Sequence, residues 1–178
     1  VMKIIKTDFK GLYLVKRKYH QDERGHLSEI FKKDYFSKNF IFDYYSCSKK
    51  NVIRGLHFQV KNQQEKYISV LNGKIFDVCV DLRKKSEMFG KIFTSILSKN
   101  NCTSILIPKG FAHGFCALED KSILYYKNSK YFFEKDQAGL LWNDKDLKIN
   151  WPIDKPIISK KDKDNLNFGK FLKSYKSL

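Results

Sequence analysis

Two histidines in apolar, glycine-bearing runs are the first residues with chemistry to offer. His57 lies in Arg54-Gly55-Leu56-His57-Phe58-Gln59, near the end of a strand-like segment whose glycine allows close approach of a ligand. His113 lies in Pro108-Lys109-Gly110-Phe111-Ala112-His113-Gly114-Phe115, where a Pro/Gly turn delivers it between aromatic neighbours. Gln64-Glu65-Lys66 and Tyr125-Tyr126-Lys127 accompany them. Histidine, tyrosine and lysine around one concave site suit proton transfer at carbon. A base removes a proton beside a ketone, a cation steadies the enolate oxygen, and a group on the opposite face returns the proton. Each group also has an ordinary structural reading: a satisfied core histidine, a packed tyrosine pair, a surface lysine paired with a neighbour such as Asp77.

The rival chemistry is a metal centre, since jelly-roll barrels often ligate a metal through clustered histidines and a carboxylate. His57 and His113 belong to no H-x-H pair and have no glutamate in ligand spacing, and His20 and His26 sit among charges, so no metal is expected. Cys47, Cys79, Cys102 and Cys116 are far apart without a C-x-x-C pair and read as small, reduced, partly buried hydrophobes.

These groups have to be positioned by strands, because short alternating segments divided by turn residues dominate the chain. In Phe76 to Leu82, residues Phe76, Val78, Val80 and Leu82 fall on one face and Asp77, Cys79 and Asp81 on the other. Tyr67 to Leu71 precedes it, and Asn72-Gly73 between them predicts an antiparallel hairpin. Further strands are expected at Leu27 to Phe31, Asn51 to Phe58, Lys91 to Leu97, Thr103 to Ile107 and Ser122 to Tyr126. Together they predict an all-β fold, an eight-or-so-stranded jelly-roll double sheet with short flanking helices. Helices are expected near Lys33 to Phe40 and in the tail, where Ser159-x-x-Asp162 could open one. The lysine-rich tail beyond about residue 163 is expected to fray.

With 178 residues, 42% hydrophobic and 15% aromatic, the chain can bury one core, so a single domain over 1–178 is expected. No run of about 18 apolar residues is present and lysines interrupt Val1 to Lys18, so no membrane association and a cytoplasmic location are expected. The net charge of +16 would attract phosphate, but the lysines are spread along the chain without an arm, recognition helix or RNA motif; no nucleic-acid partner is expected.

The motifs, in order, resemble the dTDP-4-dehydrorhamnose 3,5-epimerase family of the cupin superfamily. The resemblance runs through Asp22-Glu23-Arg24-Gly25 with Glu29, Asn51 to Gln59, Lys66, Gly73 with Asp77 to Arg83, Pro108 to Phe115, Tyr126-Lys127, Trp142-Asn143-Asp144, Trp151-Pro152 and Ser159 to Asp162. It implies a cupin-type barrel and a cofactor-free epimerase inverting C3 and C5 of a dTDP-linked 4-keto-6-deoxyhexose through an enolate. By position it makes His57 the general base, Asp162 its carboxylate partner, Tyr126 the acid and Lys66 the group near the C4 oxygen. Arg24, Arg54 and His113 would hold diphosphate and sugar, with Glu29, Gln59 and Tyr131 also at the substrate. It implies a homodimer that exchanges strands and shares site residues.

Two departures bear on substrate. Phe42-Asp43-Tyr44 stands where the family usually has Gln-Asp-Asn, and Tyr131-Phe132-Phe133-Glu134 stands where the family often has a second tyrosine followed by a proline. Replacing amides by aromatics removes hydrogen bonds and adds bulk. Rival readings are therefore a single-centre epimerase at C3 or C5, acting on a dTDP-keto-hexose or a GDP-keto-heptose, a 3,4-keto isomerase, and a non-catalytic sugar-binding cupin.

Overall fold

The computed structural model describes residues 2–36, 38–175 and 178. Thirteen strands form among them: β1 (Lys3–Lys6), β2 (Tyr13–Lys16), β3 (Tyr19–Asp22), β4 (Gly25–Ser28), β5 (Phe42–Ser48), β6 (Ile53–Gln59), β7 (Lys66–Asn72), β8 (Lys74–Asp81), β9 (Ile92–Ser98), β10 (Thr103–Ile107), β11 (Phe111–Ala117), β12 (Ser122–Asn128) and β13 (Gln137–Gly139). Two helices close the chain, α1 (Lys160–Lys163) and α2 (Phe168–Tyr175). One antiparallel sheet has the order β1-β2-β10-β7-β12-β5, a second has β13-β6-β11-β8-β9, and β3–β4 stands apart as a hairpin. The expected all-β double sheet is therefore present, with strands too short and too numerous for any single one to carry the fold.

The two sheets face each other across Ile68, Val70, Ile105, Leu124 and Tyr126 from the six-stranded sheet and Ile75, Cys79, Phe111 and Phe115 from the five-stranded one. Alternation along β8 divides as its sequence predicts, yet its apolar row Val78, Val80 and Leu82 faces outward, under Trp151, Leu147 and Phe171 of the tail. The row that faces into the barrel is Asp77, Cys79 and Asp81, whose β11 partners are Phe115, His113 and Phe111.

Three expectations are corrected. Asn72-Gly73 does make a turn, with Gly73 at φ +77°, but β7 and β8 do not pair: β7 lies between β10 and β12, and β8 between β11 and β9. The turn carries the chain from one sheet to the other, and a Cβ on Gly73 would lie 2.9 Å from Ser122 Cα. The helix near Lys33 to Phe40 is reduced to one 3₁₀ turn, Lys33–Tyr35; of the expected span Ser37 lies outside the described residues. Phe31, Phe36 and Phe40 instead turn inward onto Tyr67, with ring centroids 5.3, 5.6 and 6.5 Å away.

The tail, expected to fray, is docked. Phe168, Phe171 and Tyr175 recur at helical spacing along α2, and Phe171 is wholly buried edge-on to Phe58 at 5.6 Å. Burying such a ring stabilises by about 2–3 kcal/mol, enough to hold a two-turn helix against the sheet. Of the four cysteines, Cys79, Cys102 and Cys116 are buried and Cys47 is exposed, and all are free thiols.

Candidate active site

Arg54 and His57 are three residues apart, so in a regular strand they would point to opposite faces. A bulge prevents this. His57 pairs with His113 and Arg54 with Phe115, so three residues of β6 span two of β11 and both side chains enter the barrel. Gly55, at φ +117°, makes the irregularity possible, and a Cβ there would lie 2.6 Å from Gly114 Cα. Arg54 donates from Nε to Ser48 Oγ at 3.0 Å and keeps an exposed guanidinium at the barrel mouth.

His57 meets a carboxylate from the far end of the chain. Residues 51–53 and Ile157 form a parallel bridge, with Ile53 N donating to Ile157 O at 3.0 Å, and this strap brings Ser159 beside β6. Ser159 caps α1 by accepting from Asp162 N at 3.1 Å, as its spacing predicts. Asp162 then reaches His57 Nε2 at 2.6 Å through one oxygen and accepts from Gly55 N at 3.1 Å through the other. Burial raises the Asp162 carboxyl, but the His57 hydrogen bond and charge, with Gly55 and Ser159, outweigh it and hold the group below its ordinary value. An ionised partner fixes the imidazole and stabilises it when it takes a proton.

His113, directly across from His57, has its own carboxylate. Its Nε2 lies 2.7 Å from Asp77 Oδ2, both groups are buried, and the Cys79 thiol donates to Asp77 Oδ1 at 3.6 Å. Sequence reading placed Asp77 on the polar face of β8 but missed this pair, because the register that aligns β8 with β11 leaves no trace in either strand alone. Asp77, Cys79 and His113 bring an oxygen, a sulfur and a nitrogen within 4.8 Å of one another, a donor set with metal-ligand chemistry. In this structure Asp77 engages both of the others, and burial together with Asp77 raises the Cys79 thiol well above its ordinary value.

The facing sheet supplies the complementary groups. Lys66 pairs across to Asn128 and Tyr126 to Ile68, so both point inward with Ile68. Burial lowers the Lys66 ammonium to about 8, while Cys79 and Asp77 pull in the opposite direction. Tyr126 is 6% exposed; burial, then the neighbouring Tyr44 and Asp77, raises its hydroxyl well above the phenol range, so it stays protonated at neutral pH. Tyr125 turns outward instead, its hydroxyl donating to Asp43 at 2.6 Å. Phe42 and Tyr44 share the inward face with Tyr126: Tyr44 stacks on it at 4.6 Å, and Phe42 lies 6.0 Å from Tyr131, which is 56% exposed.

Three expected substrate groups stand elsewhere or are engaged. Arg24 is at the tip of the β3–β4 hairpin, ion-paired with Asp22 at 2.6 Å and 89% exposed, and Glu29 is exposed just beyond β4. Gln59 is buried; its amide donates to Asn62 O and Tyr131 O and accepts from Phe133 N at 2.7 Å, fixing the loop that carries Tyr131.

A double-sheet barrel whose interior carries a histidine–aspartate pair, a desolvated lysine and a buried, protonated tyrosine is equipped to move protons at carbon, the work of carbohydrate epimerases. Residues 6–170 match the dTDP-4-dehydrorhamnose 3,5-epimerase family, and the chain belongs to it. A dTDP-4-dehydrorhamnose 3,5-epimerase from Shigella flexneri is 38% identical over 178 residues, 96% of this chain and 97% of that one. The crystal structure of a dTDP-4-dehydrorhamnose 3,5-epimerase from Bacillus anthracis with TDP and PPi bound superposes with TM-score 0.90 at 41% identity, covering 94% of this chain and 99% of that one. That of a dTDP-6-deoxy-D-glucose-3,5-epimerase from Legionella pneumophila in complex with dTDP-4-keto-L-rhamnose gives TM-score 0.89 at 36% identity, covering 94% and 93%. This chain is accordingly an isomerase of the sugar-nucleotide 3,5-epimerase class. Among the described residues, no helix is long and apolar enough to cross a membrane.

Proposed function

We propose that this enzyme inverts C3 and C5 of a dTDP-linked 4-keto-6-deoxyhexose. The ring nitrogen of His57 that Asp162 does not hold takes the proton beside the C4 ketone. The electron pair moves into the carbonyl, and the resulting enolate oxygen is stabilised by the Lys66 ammonium. Tyr126 returns a proton from the opposite face, leaving a phenolate and an imidazolium that exchange their proton through solvent before the next turnover. Arg54 grips the diphosphate and His113 the sugar, so that binding energy orients the ring.

One observation carries this reading: Arg54 and His57 rise from one sheet while Lys66 and Tyr126 rise from the sheet facing it, so a flat sugar ring between them meets a base and an acid on opposite sides. The test is proton NMR in D₂O with dTDP-4-keto-6-deoxyglucose. Loss of both the C3 and C5 proton signals is expected, and retention of both with bound substrate sinks the reading. The Tyr44–Tyr126 stack favours a second reading, in which a constrained acid serves one centre only; loss of a single signal would select it. GDP-linked substrates are the comparison arm.

We further propose a homodimer. The hairpin β3–β4 is almost wholly exposed and holds Arg24 away from its own barrel, as a segment serving the partner's site would. Sedimentation at twice the chain mass is expected, and a monomer with full activity would contradict it.

A further inference from the structure

On the outer face of the six-stranded sheet, away from the catalytic side chains, one cation is buried without a counter-charge. Arg17 continues the Tyr13–Val15 row past the end of β2 and is 6% exposed. Its guanidinium donates to Val70 O at 3.1 Å and to Ser28 Oγ at 3.4 Å, while Nε has no partner among the described residues. No Asp or Glu among the described residues pairs with it. The polar side chains beside it are a thiol and a phenol, which donate elsewhere: the Cys102 thiol to Lys99 O at 3.2 Å, and the Tyr67 hydroxyl to Ile30 O at 2.8 Å. Arginine does not shed its proton to escape burial, and a buried charge left unpaired is strongly unfavourable.

The guanidinium borders a cavity of about 200 Å³ ringed by Tyr19, His26, Ser28, Lys99 and Cys102. Lys99, the His26 imidazole, the Tyr19 phenol and the Ser28 hydroxyl belong to residues that line it, and among the described residues no acidic side chain does. A neutral water could bond Nε but could not compensate the charge. We infer that this cavity binds a small oxyanion of the phosphate class, held by Arg17 from below and Lys99 at the rim. The site is separate from the catalytic one: its arginine belongs to the outward row of the sheet whose inward row carries Lys66 and Tyr126. Its walls come from both the barrel and the β3–β4 hairpin, so the bound anion ties the root of the hairpin to the barrel.

The test is a calorimetric titration of the protein with inorganic phosphate at constant ionic strength, in wild type, Arg17→Met, Lys99→Met and Arg54→Met. The expected result is saturable binding that survives Arg54→Met, weakens about ten-fold or more in Arg17→Met and about three-fold in Lys99→Met, and raises amide protection over residues 19–28. If Arg17→Met does not fold, Lys99→Met decides. No saturable binding, or binding lost with Arg54→Met and kept in both other variants, overturns the proposal. A nucleoside monophosphate is the second probe. Its exclusion identifies a free oxyanion as the ligand, and equal Arg17-dependent binding identifies the phosphoryl group of a larger molecule; either supports the site.

Discussion

The barrel interior holds two histidine–aspartate pairs side by side, since His57 and His113 are directly opposed in the β6–β11 register. The contacts are nearly equal, 2.6 Å for His57–Asp162 and 2.7 Å for His113–Asp77. Their surroundings are not. The His57 side chain is 29% exposed and its carboxylate arrives from the C-terminal strap, whereas His113 is 5% exposed and its carboxylate sits two strand positions away on β8 with no exposed surface. A base must trade protons with substrate and solvent, so the open pair suits catalysis. The closed pair suits a fixed polar wall against which a sugar is placed. Residue type sets what a pair can do; access decides what it does.

Four substitutions sharpen this contrast, in falling order of effect. His57→Asn removes the proposed base and is expected to lower kcat about a thousand-fold, measured by product formation with nucleotide affinity nearly unchanged. Lys66→Met removes the cation proposed to stabilise the enolate oxygen and is expected to lower kcat about a hundred-fold or more. Because the Lys66 ammonium is lowered to about 8 from 10.5, the unfolded chain holds more protons between those values, and wild-type stability rises with pH across that window. Below it the full cost of burying the cation applies, so Lys66→Met should be more stable than wild type at pH 7, by about 1–3 kcal/mol in denaturant unfolding. The same lowering predicts that wild-type kcat/KM declines as pH rises through about 8, as the cation is lost; a flat alkaline profile would remove Lys66 from the enolate.

Asp162→Asn keeps the cap and the bond from Gly55 but leaves the imidazolium without its anion, and kcat is expected to fall about a hundred-fold. His113→Asn acts on binding, so a KM rise of about ten-fold with kcat changed less than three-fold is expected from steady-state kinetics. A larger effect on kcat than on KM would dissolve the distinction between the pairs.

Much of this was legible in the sequence, and what was missed has physical causes. Thr103 to Ile107 is a strand as its pattern predicts, and the alternation of Phe76 to Leu82 sorted its residues onto the correct faces. What pattern could not say is which face is inside. The apolar row of β8 faces outward, where the C-terminal tail covers it, and the polar row faces inward, where Asp77 meets His113 on β11. The hairpin expectation at Asn72-Gly73 failed for a related reason: a turn fixes a local reversal, but partners across sheets decide which strands pair. His57, Lys66 and Tyr126 could be singled out by type and neighbourhood, and Asp162 through the resemblance. The Asp77–His113 pair depends on register between distant segments, and the two-residue-for-three bulge that turns Arg54 and His57 the same way depends on Gly55 facing Gly114. Neither is local.

The most direct test of the difference between the two pairs is solvent-deuterium incorporation into dTDP-4-keto-6-deoxyglucose, followed by NMR in D₂O for His57→Asn and His113→Asn side by side at saturating substrate. Exchange lost in His57→Asn and retained within about three-fold in His113→Asn is the expected outcome. Exchange retained in His57→Asn, or lost equally in both, would contradict the assignment of the open pair as the base.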